Sequence, residues 1–364
     1  METFRDLNSE ILPGSNNLNV AQFSQILSNK YLMNSYKLYW LAGIIEEIKA
    51  GNDVISFRKI VGWMVAKSWY SLLRFKLNLG YQDRLYVLVQ YVFRISNLKE
   101  TAKEEEIVSF IENSRDIELN RKITHFYSYV PNRLLSPFYA SELKEIPEKS
   151  RSAYIVELSR KTPAFYKITD EHIHINNKWM DYISSNLPII EGWIPSKLVM
   201  FLQKRNPSVP SIINKINAPQ KRDMSRAVKF WKDIHSYKNI KNIYTDEELF
   251  LSDFSVDHFI PWSFVMHDHL WNLIPISKST NSKKSDRIPS WERYFQNFSE
   301  MQYYAFTTAM ENNFSSKRLE DYLNLKQVEL VKGYPRDLFI KALDDLLKPT
   351  HQLALNQGFQ LWEY

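Results

Sequence analysis

Ser255-Val256-Asp257-His258-Phe259-Ile260-Pro261-Trp262-Ser263, followed by Leu270-Trp271-Asn272-Leu273 and Asn281-Ser282-Lys283-Lys284-Ser285-Asp286, decides how this chain is read. It places an Asp-His pair, a central Asn and a distal Asn-x-x-Lys within 30 residues. One-metal hydrolysis of a phosphodiester needs those groups: a neutral imidazole as base, hard oxygen ligands for a cation, and a fixed positive charge nearby. An imidazole with an ordinary pKa of about 6.5 is largely unprotonated at cellular pH. One Asp and one Asn leave most of a cation's shell to water and phosphate oxygens, as magnesium binds at nucleic-acid sites.

The surrounding chain supplies charge in the right place. Net charge is only +6 over 364 residues, but residues 201 to 243 hold ten Lys or Arg against Asp223 and Asp233. That excess precedes the Asp-His segment, where a polyanion has to lie. Lys204, Arg205, Lys221, Arg222, Arg226 and Lys229 are its candidate nucleic-acid contacts, with Lys283 beyond the motif. On a wheel at 100° per residue, Met224, Ala227, Trp231 and Ile234 share one side of a helix, while Arg222, Arg226 and Lys229 share the other.

Composition bounds the rest. A 44% hydrophobic fraction, 14% aromatics and only 8 glycines describe a well-packed, helix-leaning chain. Cysteine is absent, which excludes disulfides and Cys-based zinc knuckles, so any metal is held by oxygen and nitrogen and no zinc is expected. The opening Met1-Glu2-Thr3-Phe4-Arg5-Asp6 does not read as a signal peptide. The apolar run Ile60–Ala66, bounded by Lys59 and Lys67, falls far short of the ~20 residues a bilayer requires. The expectation is a soluble, cytoplasmic protein without membrane contact.

Helical spacing dominates the first 130 residues: Tyr36, Trp40, Ile44 and Ile48 after Asn34-Ser35, then Ile60, Met64 and Leu72 after Asp53, then runs near 84–95 and 102–111. Their aromatic residues read as core. Pro131, Pro137, Pro147 and Pro163 loosen the next stretch, Ile173-His174-Ile175 alternates like a strand, and a helix follows from Lys178. His172 and His174 form a His-x-His, read as a wet strand face because no third ligand lies nearby. After the motif, helices are expected over 291–313, 317–325 and 335–347.

At the quoted residues the chain resembles the HNH, or ββα-metal, endonuclease family, most closely the HNH domain of the RNA-guided CRISPR effector nucleases. There Val-Asp-His, Pro-x-Ser-Phe, a middle Asn and Asn-x-x-Lys-Ser-Asp recur in this order. Outside residues 253 to 290 the chain is broadly similar to stand-alone bacterial HNH proteins of restriction and phage-defence systems. The resemblance implies two strands, a loop between them and a crossing helix around one divalent ion. It implies Asp257 as carboxylate ligand, His258 as general base, Asn272 as the brace of the inter-strand loop and Asn281 as amide-oxygen ligand. Lys284, one helical turn beyond Asn281, adds a second positive contact to the phosphate, a place Lys283 can also fill. His267, Asp268 and His269 fall in the loop and read as its surface or its brace. Adjacent strand residues face opposite ways, so Asp257 and His258 serve one phosphate only at a strand end or bulge.

The expected fold is mainly α with a small α+β element. A helical domain spans 1–130, a Pro-rich connector with a short β element 131–200, a basic helical segment 201–250, the nuclease core 251–290, and packing helices 291–364. The expected function is magnesium-dependent hydrolysis of double-stranded DNA, manganese serving as a substitute, in restriction or anti-phage defence beside an ATPase or other defence subunit. Two alternatives stay open: an RNA-cleaving effector with the same site, and a silent nucleic-acid-binding subunit.

Overall fold

Helices dominate, as the spacing predicts, and the strands form only small sheets. The structure, a computed structural model, describes residues 12–28, 32–162, 164–218 and 222–364. Lys221 and Pro163 lie outside the described residues. The chain divides into two compact units, Met1–Pro207 with Ile212–Pro219, and Ser208–Ser211 with Gln220–Tyr364.

In the first unit the helices Tyr36–Lys49 and Phe57–Leu73 pack face to face. Gly43 permits their close approach, because a Cβ there would sit 2.9 Å from Trp63 Cβ. Tyr39, Trp40, Ile60, Met64 and Trp69 are almost wholly buried, so the aromatic helices are core. Each such side chain contributes roughly 1.5–3 kcal/mol on leaving water. The helix expected after Asp53 starts only at Phe57, capped by Ser56 Oγ, which accepts from Lys59 N–H. The residues before it, Val54–Ser56, pair antiparallel with His172–Ile175, whose other edge pairs with Tyr166–Thr169. Ile173 and Ile175 are buried on one face of that strand, leaving His172 and His174 on its wetter face.

The second unit is built around a two-stranded antiparallel sheet, Phe254–His258 with Leu273–Ser277. Leu273, Ile274 and Ile276 are fully buried, and Phe259 stacks on Phe298 at 4.2 Å. The helices Ser225–Tyr237 and Trp291–Glu311 pack on this sheet and on each other, and Arg336–Asn356 packs on Trp291–Glu311. Ala227, Trp231 and Ile234 are buried as the wheel requires, whereas Met224 is only the cap residue. The last helix does not stop at Leu347. It runs through Pro349 to Asn356, because Leu347, His351 and Ala354 keep one face buried past the proline. That burial outweighs the ~3 kcal/mol a helical proline costs. Among the described residues no helix is long and apolar enough to cross a membrane.

Candidate active site

The motif folds as strand, loop, strand, helix, with Asp257 opposite Ile274 and His258 opposite Leu273. Alternation along the first strand sends Ser255 and Asp257 to one face and His258 to the other. The helix Lys278–Lys284 covers the first face, and it begins where Ser277 turns out of the second strand and its Oγ accepts from Thr280 N–H at 3.2 Å. Asn281 Nδ2 donates to Ser255 Oγ at 2.8 Å, and Lys284 Nζ lies 2.8 Å from Asp257 Oδ2.

His258 closes the strand on the other face and is 3% exposed. Its Nε2 lies 2.8 Å from Asp268 Oδ1 and 3.2 Å from the His267 carbonyl oxygen. Both neighbours are acceptors, so Nε2 carries the hydrogen and donates. The neutral ring therefore keeps its free lone pair on Nδ1. Burial pushes the Asp268 carboxyl up, but the hydrogen bond from His258 and the charges of His258, Arg222 and His267 outweigh it and hold the group below its ordinary value. Arg222 stands behind, 3.5 Å from Asp268 Oδ1 with its guanidinium 4.5 Å from the Trp262 ring centre.

The loop that presents Asp268 is fastened at both ends. Asn272 is fully buried; its Oδ1 accepts from Ile260 N–H at 2.8 Å and its Nδ2 donates to Ile260 carbonyl at 2.9 Å. Gln302 Nε2 donates to the carbonyls of Leu270 and Leu273, and Asp321 accepts from Leu270 N–H at 2.9 Å. His269 Nδ1 lies 3.3 Å from Asp321, and its ring stacks on Trp271.

Residues 241–290 match the family model of the HNH endonucleases. This segment belongs to the HNH family. No curated protein and no solved structure matches the chain. The HNH match ends at Ser290, so it takes in both strands, the loop with Asp268 and the covering helix, and leaves out Gln302 and Asp321.

Whether the HNH residues suit a divalent ion can be judged from their donors. Asp257 Oδ2 is buried and receives no well-aligned hydrogen bond, although the Lys284 ammonium is 2.8 Å away. Asn281 spends its Nδ2 on Ser255, which leaves the amide oxygen as the acceptor, and it lines a shallow hollow of about 430 Å³ with Ser255, Lys278, Ser282 and Ser285. A carboxylate and an amide oxygen on facing elements are hard donors that fit magnesium with a mainly aqueous shell. Among the described residues no three His, Asp or Glu side chains converge, so a ligand-rich cage is not what the site provides.

Lys284 departs from its expected place. It is wholly buried, with Nζ donating to the His258 carbonyl at 2.8 Å beside Asp257, so it neutralises the strand end from within and does not face a phosphate. The helix register explains this: Asn281 and Lys284 occupy one face, and that face is the one pressed on the strand. The basic residues also part company. Lys204 and Arg205 end a helix of the first unit, where Arg205 donates to the carbonyls of Leu79 and Met33. Arg226 pairs with Glu320 at 3.3 Å, Lys229 is exposed on the same helix, and Lys283 sits 4.7 Å from the Tyr364 ring centre. Lys221 falls outside the described residues.

The side chain in contact with His258 that the sequence reading left as loop surface or brace is Asp268. Only its place marks it in the sequence, ten positions after His258 in the loop that returns to the second strand.

Proposed function

We propose that this protein is an HNH endonuclease that hydrolyses DNA phosphodiesters, with His258 as general base. The observation that carries the reading is the clamp on His258 Nε2, which leaves Nδ1 as the proton acceptor inside an HNH motif. A water hydrogen-bonded to Nδ1 gives up its proton there as its oxygen attacks phosphorus. The P–O3′ bond breaks, the 3′ oxygen takes a proton from solvent, and the ends are 5′-phosphate and 3′-hydroxyl. Asp268 holds the ring in the productive tautomer and stabilises the imidazolium that forms, with Arg222 steadying Asp268.

Asp257 and Asn281 are the residues that would hold a divalent cation, magnesium with manganese as substitute, and such an ion supplies neutralising charge to the phosphate and the departing oxygen. Asn272 keeps the strand end and the loop in register, so that Asp257 and His258 flank one phosphate from two sides. Arg222, Lys229 and Lys283 stand in the same unit and are the proposed backbone contacts, Arg222 with a share in positioning the base.

DNA is preferred to RNA on the motif-level resemblance to effector domains that cut DNA, and a place in restriction or phage defence rests on the same analogy. Incubating the purified protein and magnesium with supercoiled plasmid and, separately, with total RNA tests the choice. Nicked or linear plasmid carrying 5′-phosphates supports the reading. RNA cleavage with intact plasmid, or 2′,3′-cyclic phosphate ends, overturns it.

A further inference from the structure

The first unit, which contributes nothing to the HNH motif, contains a cleft of about 1560 Å³. Its wall carries Lys37, Arg84, Arg133, Lys144, Arg151 and Arg205. Against these six cations stand two carboxylates, Asp83 and Glu148. Asp83 is buried and occupied: its oxygens accept from Ser35 N–H, Ser35 Oγ–H at 2.6 Å and Leu85 N–H. Glu148 approaches Arg133 at 3.8 Å, with both side chains largely in solvent.

The cations of the wall repel one another. Burial and the neighbouring Arg133 charge hold the Lys37 ammonium down to about 8. Burial and the Arg84 charge likewise lower His125, which lines the same cleft. Arg205 is fixed at the wall by the carbonyl oxygens of Leu79 and Met33, and it lies so close over Gly80 that a Cβ there would sit 2.9 Å from its Nε. Tyr81 stands fully exposed at the opening, and Tyr129, half exposed, lies under the Arg133 guanidinium, 5.5 Å from its ring centre. A surplus of cations over carboxylates and the exposed ring of Tyr81 along one concavity suit an unpaired nucleotide strand, phosphates on the basic wall and a base on the ring.

We infer that this cleft binds single-stranded nucleic acid. The inference leans on the nuclease reading only for choosing nucleic acid among polyanions, and it gives the first unit a substrate contact of its own. A duplex presents its bases only inside its grooves and an acidic peptide offers no regular series of planar bases, so neither uses both features of the wall.

The test is fluorescence anisotropy on the full chain carrying His258→Ala, in EDTA, with labelled oligo-dT and oligo-U of about a dozen nucleotides. A hairpin duplex and a polyglutamate peptide serve as the other arms. Arg133→Glu with Arg151→Glu is expected to weaken strand binding at least tenfold and to make its salt dependence shallower by about 1.4 in log–log slope. Tyr81→Ala is expected to weaken it about fivefold or more while leaving that slope in place. The ratio of oligo-dT to oligo-U affinity tells whether the strand is DNA or RNA. Strand binding unmoved by the double charge reversal overturns the inference, as does peptide or duplex bound as tightly as the strand. If the double variant fails to fold, Lys144→Glu, on an exposed side chain of the same wall, answers the same question. Wild-type protein that binds strands but never cuts removes the nuclease reading alone, whereas cutting without strand binding removes this one alone.

Discussion

His258 Nε2 and Asp268 Oδ1 are 2.8 Å apart, and that contact determines which imidazole nitrogen is free to accept a proton. Exchange of Asp268 for Asn should lower kcat by roughly 10- to 100-fold, the range for losing an orienting partner, with a smaller change in KM. A pH–rate profile taken alongside should move as well, because the carboxylate that stabilises the imidazolium is gone. If the variant keeps both its turnover and its profile, Asp268 is only part of the loop.

Lys284 and Asp257 form a buried ion pair, and removing one partner strands the other. Lys284→Met is expected to cost about 3–5 kcal/mol and to lower the melting temperature by roughly 6–20 °C. Asp257→Asn in the same chain should restore part of that loss, while the salt slope of DNA binding stays unchanged in Lys284→Met. A shallower slope with an unmoved melting temperature would return Lys284 to the phosphate.

Burial, with repulsion from His269 and His258, holds the His267 imidazole down to about 4. An unfolded chain binds a proton at this residue below about pH 6.5 that the folded chain refuses until about pH 4. The contribution is therefore complete above pH 6.5 and is lost as pH falls through that window, at no more than about 1.4 kcal/mol per pH unit. Asp268 and Asp321, both held low, extend the loss in the same direction at still lower pH. Urea unfolding between pH 7 and 4.5 should show the decline, and His267→Gln should flatten it. An identical decline in the variant assigns the effect elsewhere.

Much of this was legible from residue order, and what was not has identifiable causes. Tyr36, Trp40, Ile44 and Ile48 recur at helical spacing, and the helix Tyr36–Lys49 follows, with Gly51 at φ +85° after its end. The resemblance to the HNH family likewise implied the strand, loop, strand and helix of the site. Contacts made across the fold were not legible. Asn34 Oδ1 accepts from Tyr36 N–H at the helix start, but Ser35 beside it is held by Asp83, a residue far along the chain. Val54–Ser56 form a strand only because His172–Ile175 offers an edge. Spacing put Lys284 one turn from Asn281, but it could not say which way that face turns, and Asp268 lacked any local pattern to mark it as the partner of His258.

Asn281 offers its amide oxygen from the helix that faces Asp257. With Asn281→Ala, the magnesium concentration giving half-maximal cleavage should rise by roughly 10-fold or more while the fold persists, as judged by an unshifted melting curve in EDTA. An unchanged magnesium titration rules out the ligand role.

In the proposed reaction His258 Nδ1 receives the proton of the attacking water. Cleavage of a labelled duplex by His258→Ala, with binding of the same duplex measured in parallel, tests it most directly. A loss of cleavage of at least about 10²-fold is expected, with affinity kept within a few-fold. Undiminished turnover by this variant would contradict it.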